Sequence, residues 1–153
     1  MTLTGPVVGE LKRLGRRAGD KQATFHVPST RAADFVAALL GQGAGKQGAR
    51  VTIENVVFPP WHLRTALGHE DVSAGLASET TIEAGPGEAP ALLTAALSDW
   101  TDFWFEPSPG AFLLYGHHDE YSTVYAHKQG AVSRVTTALT QAGFRHTGDR
   151  RTL

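Results

Sequence analysis

Apolar residues recur along this chain with two spacings, and their alternation predicts the architecture. Ala23 to Val27 reads as a short strand, stopped by Pro28, which has no amide proton for a sheet ladder. Ser29 or Thr30 then offers a helix cap. Ala32, Phe35, Val36, Leu39 and Leu40 follow at helical spacing as far as Gly41. Val51 to Phe58 alternates, with Val51, Ile53 and Val57 on one side, until Pro59-Pro60 closes it. A short turn of helix carrying Trp61, His62, Leu63 and Leu67 comes next, and the small, polar residues 68–78 read as a mobile surface loop. Thr80 to Ala84 is a minor strand. Pro90 suits the first turn of a helix whose face holds Leu92, Leu93, Ala96, Leu97 and Trp100.

The last third has the clearest pattern. Phe103 to Glu106, Ala111 to Tyr115 and Tyr121 to His127 read as three strands joined by short turns, hence an antiparallel meander. A closing helix places Val132, Val135, Leu139 and Ala142 in register before Gly143. Strand and helix periods interleave, which predicts an α+β two-layer domain: a mainly antiparallel sheet with a C-terminal three-stranded meander and helices packed on a face. The domain is expected over residues 23–153. Residues 1–22 place Val7, Leu11 and Leu14 at helical spacing among Lys12, Arg13, Arg16 and Arg17. Gly5, Gly9, Gly15 and Gly19 weaken that helix, so the segment reads as a basic, partly ordered arm.

Composition narrows the function classes. At 153 residues and 16.3 kDa the chain fits one domain with a real core. It has no cysteine, which excludes disulfide scaffolds, thiolate metal sites and cysteine nucleophiles. No apolar run is long enough to span a membrane, no secretory core precedes the domain, and a cytoplasmic protein is expected. A net charge of −1 argues against a dedicated nucleic-acid binder. That small net charge hides segregation. Residues 1–50 carry eight Lys or Arg against three Asp or Glu, a balance of +5. Residues 51–126 carry eleven acids against one base, a balance of −10, and residues 127–153 return +4. Either the basic ends fold over the acidic middle, or an acidic face is kept for a cationic partner.

The motifs are few. Gly43-Ala44-Gly45-Lys46-Gln47-Gly48 matches G-x-G-x-x-G in letters, but it follows a helix and precedes a strand. No helix N-terminus would face a phosphate there, and the stretch reads as a connection. No G-x-S-x-G elbow occurs. His117, His118, Asp119 and Glu120 form a polar tetrad in a hairpin loop, which its connecting role explains by itself. An enzyme, metal-dependent or free of cofactors, would use this loop as its catalytic site, with an imidazole base oriented by a carboxylate. A metal set of His118, Asp119 and distant His62 is the weaker alternative, with His69, Glu70 and His127 as further donors, and no cofactor is expected.

Strand alternation puts Phe103 and Phe105 on a core face and leaves Trp104 beside Asp102 and Glu106 on an accessible one. With Asp119, Glu120 and Tyr121, these residues make an acidic, aromatic surface suited to Lys or Arg side chains. The expected function is a small protein-binding module that binds, and thereby inhibits, a basic partner protein. The enzyme reading instead expects a pocket beneath the hairpin loop, lined by Trp61, Tyr115 and Tyr121.

Overall fold

The computed structural model describes residues 1–68 and 76–147. In chain order these form β1 (Thr2–Thr4), α1 (Glu10–Arg17), β2 (Lys21–His26), a 3-10 turn (Ser29–Arg31), α2 (Ala32–Leu40) and β3 (Gly48–Asn55). They continue with α3 (Trp61–Leu67), β4 (Thr81–Ala84), α4 (Ala89–Ser98) and β5 (Asp102–Ser108). Last come β6 (Leu113–Gly116), β7 (Tyr121–Ala126), α5 (Gln129–Gln141) and β8 (Arg145–His146). The expected loop at 68–78 falls mostly outside the described residues, as do His69 and Glu70. Among the described residues, no helix is long and apolar enough to cross a membrane.

The described strands form one antiparallel sheet in the order β1-β4-β3-β5-β6-β7-β2-β8. The meander β5-β6-β7 is its centre. Both edges are short strands, of three and two residues, which limits the ladder left open to other chains. The period-two pattern sends Phe25, Val51, Ile53, Ile82, Phe103, Phe105, Leu114 and Val124 to one face, where they meet Phe35, Leu92, Leu93 and Leu139 from the helices. These side chains are buried to the last few per cent, and truncating a core phenylalanine of this kind costs about 3–5 kcal/mol. The α+β layers are those the periodicity predicts.

The opposite face corrects the expectation for the N-terminus. Residues 1–22 are not merely an arm: they supply edge strand β1 and helix α1. Leu14 and Ala18 bury a second, smaller core with Trp104, Leu113 and Tyr115. Burial of Leu14 outweighs the helix cost of Gly15 because tertiary packing dominates propensity. The helix also brings its charges to the sheet. Arg13 pairs with Glu10 and, at 3.1 Å, with Glu106; Arg17 pairs with Glu106 as well. Arg13 holds the Glu10 carboxyl below its ordinary pKa, chiefly through their hydrogen bond. Here the basic N-terminus does fold over part of the acidic middle.

Candidate functional site

β3 and β2 finish, and β5 and β7 begin, at one end of the sheet, while β6 runs into the turn 117–120 there. Two local features shape this end. Gly116 lies against the Phe103 ring, where an added Cβ would sit 2.4 Å from a ring carbon, so any side chain here would have to displace that buried ring. The turn is then closed by the His117 N–H donating to the Tyr121 carbonyl at 2.9 Å and the Glu120 N–H donating to the His117 carbonyl at 3.1 Å. Antiparallel pairing of Phe103 with Gly116 places Asp102 beside this turn.

Asp102 is the hub. Its side chain is 8% exposed. Its Oδ1 accepts the His118 backbone N–H at 2.7 Å, and the His118 Nδ1 lies 3.0 and 3.2 Å from its two oxygens. A carboxylate only accepts, so His118 carries its proton on Nδ1 and leaves Nε2 as the basic nitrogen. His117 stacks on His118 with ring centroids 4.2 Å apart. The His117 Nδ1 is 2.8 Å from Asp119 Oδ1, and the Asp119 backbone N–H approaches the same nitrogen at 3.3 Å. The hydrogen bond at this nitrogen is the one from the Asp119 N–H, the carboxylate pairs with the ring when the imidazole is protonated, and the Nε2 on the other side of the ring is turned to Asp102. That Nε2 stands 4.0 Å from Asp102 Oδ1. Chemically, His118 with Asp102 is an oriented base, and Asp102, His117 and His118 together are a set of convergent metal donors.

Aromatic residues continue this end. Trp100 lies beyond α4 at a left-handed φ of 52°, not on the helix face its spacing suggests. Its indole N–H donates at 3.0 Å to Glu120, which itself has φ 70°. Glu120 also accepts the Ser29 backbone N–H at 2.8 Å, the main reason its carboxyl is held below the ordinary value, and its other oxygen lies 3.7 Å from His26. Phe58 meets Trp100 edge-on at 5.7 Å between centroids, and the His26 and Tyr121 rings are 5.2 Å apart. Phe58, Trp61 and Trp100 remain 48, 65 and 38% exposed.

Several residues singled out in the sequence are placed elsewhere. Trp104 is only 8% exposed: it packs edge-on against Tyr115 at 5.1 Å and lies beneath α1, so it is core and not an accessible platform. Glu106 lies farther along β5, toward the other end of the sheet, tied to Arg13 and Arg17. Tyr115 is buried and donates its hydroxyl to Glu54, and burial pushes its pKa well above the ordinary phenol value. His62 belongs to a different pair with Asp99, whose oxygens accept the His62 and Leu63 backbone N–H groups at 3.0 and 2.8 Å. The His118, Asp119, His62 metal set is therefore not assembled; Asp102 and His117 stand where His62 was expected, and Asp119 backs His117. His127 donates from its Nε2 to the Arg17 carbonyl at 2.9 Å, away from the turn. Asp102, Asp119, Glu120 and Tyr121 do come together, with Trp100 and Phe58 in place of Trp104. An exposed Phe58-Trp100 pair joined across forty residues of chain has no local sequence signal. The chain matches no protein-family model, no curated protein and no solved structure.

Proposed function

We propose that this protein is a protein-binding module whose docking surface is the loop end of the sheet, and that its partner presents Lys or Arg beside an apolar anchor. The observation that carries the reading is Trp100: a bulky residue at φ 52°, fixed by a hydrogen bond to a second residue at positive φ, with more than a third of its surface exposed. Such backbone conformations cost about 1–3 kcal/mol each and cluster at binding sites. Here that strain holds an indole outward beside Phe58, at a place where folding gains little from it. Exposed Trp and Phe are the side chains that most often anchor interfaces. Asp119 and Glu120 flank them, and carboxylates beside aromatic faces suit guanidinium and ammonium groups through charge pairing and cation–π contact. With Glu106 neutralised internally, the acidic surface offered to a basic partner is narrower than composition suggests. Binding there would inhibit a basic partner whose own active surface it covers.

The test is a displayed peptide library selected on the intact protein. Peptides combining Arg or Lys with an apolar residue should be enriched. Their affinity should fall more than about tenfold, or 1.4 kcal/mol, for Trp100→Gly. Glycine accepts this φ, so unfolding stability should stay within about 1 kcal/mol of the parent. Failure to enrich such peptides, or equal binding by Trp100→Gly, overturns the reading.

A further inference from the structure

The geometry points to a binding site for one divalent transition-metal ion at Asp102, His117 and His118, at the same end of the sheet as the docking surface but argued from other observations. One donor atom from each residue lies within 4.8 Å of the other two. The His117 Nε2 and Asp102 Oδ1 stand 4.0 Å apart, too far for a hydrogen bond, and each is an electron-pair donor once an ion takes the place of the imidazole proton. Two zinc–ligand bonds of about 2.0–2.2 Å span a gap of up to about 4 Å. His118 adds the third donor from the same turn: an ion that displaces the proton of its Nδ1 meets that nitrogen 3.0 Å from Asp102 Oδ1.

The surroundings support the assignment. Histidines that bind metals usually donate their other ring N–H to a carboxylate, which fixes the tautomer and raises ligand basicity. Asp119 Oδ1, 2.8 Å from the His117 Nδ1, is near enough to take that role when Nε2 binds an ion. Two imidazoles and one carboxylate suit zinc and its first-row neighbours and do not suit calcium or magnesium, which take oxygen ligands. With the imidazoles about a third exposed, solvent can complete the coordination.

Zinc is the probe. Calorimetric titration of chelator-washed full-length protein should show one ion per chain. His117→Ala and His118→Ala should each weaken binding more than about thirtyfold, and Asp119→Asn about tenfold, in line with the effect of groups that orient ligands. His127→Ala should bind as the parent does. Because a variant can fold poorly, the parent is also titrated under histidine 15N nuclear magnetic resonance: the His117 and His118 ring signals should move and saturate at one equivalent, while His127 stays still. No stoichiometric binding, binding that survives loss of both turn histidines, or ring shifts confined to other histidines overturns the site. None of these outcomes bears on peptide recognition by Trp100, so the two proposals stand or fall separately.

Discussion

Asp99 and Asp102 lie three residues apart, and each accepts the backbone N–H of a histidine while meeting the Nδ1 of that same residue, His62 or His118. Both carboxylates are buried. They differ in what their second oxygen does. Asp99 Oδ2 accepts another backbone amide, Leu63, so its acceptors are spent on the first turn of α3. That is a helix cap delivered from a neighbouring helix end, and His62, mostly exposed, is a bystander on it. Asp102 Oδ2 meets the His118 ring instead of an amide, and its Oδ1, besides accepting the His118 amide, stands 4.0 Å from the His117 Nε2. The same grip is structural where amides saturate the carboxylate and chemical where imidazoles converge on it.

The comparison is broken most directly by unfolding measurements. Asp99→Ala strips the partner from two backbone amides at a helix start, that of Leu63 being buried, and should cost about 3 kcal/mol in urea unfolding. Asp102→Ala removes the partner of one amide in a solvated turn, and should cost about half as much. An equal or larger loss at Asp102 would make both carboxylates primarily structural. Zinc sharpens the contrast. At a free concentration a hundredfold above its dissociation constant, a bound ion adds about 2.7 kcal/mol to stability. The parent and Asp99→Asn should both gain that increment in thermal unfolding, and Asp102→Asn should not. A gain shared by all three would remove the distinction.

Sequence reasoning reached part of this contrast. His117, His118 and Asp119 are neighbours in a hairpin loop, so their grouping is local and was legible. Asp102 joins them through the register that sets Phe103 opposite Gly116, and register is a property of the paired strands. Asp99 drew no reading from the sequence, because its target, the start of α3, lies thirty-seven positions back in the chain. The two tryptophans show the same limit. Alternation put Phe103 and Phe105 on one face and Trp104 on the other, as the structure has them. Nothing in a period-two pattern says that α1, a glycine-bearing helix from the far N-terminus, covers that second face. The helical spacing that grouped Trp100 with Leu93 and Leu97 runs past the residue where α4 ends. Strands β1 and β8, with three and two residues, are too short to carry any period; their pairing is dictated by the strands beside them.

Glu120 extends the comparison to a third carboxylate, again held by a backbone amide, from Ser29, and a ring N–H, from Trp100. These donors favour the charged form, so its carboxyl titrates below the ordinary 4.5 in the folded chain. The native state then binds this proton less readily than the unfolded chain does. The stability Glu120 contributes is complete above a pH of about 4.5 and is lost as the pH falls from there through the native value. Glu120→Gln keeps the shape and removes the titration. Its stability should lie slightly below that of the parent at neutral pH and fall less steeply below a pH of about 4.5, so that the two curves converge in acid. Urea unfolding at a series of pH values reads this directly. Curves that run parallel would mean that Ser29 and Trp100 hold a neutral side chain as well as a charged one. Trp100 would then need only a hydrogen-bond acceptor at position 120, and not the charge that Glu120 shares with Asp99 and Asp102.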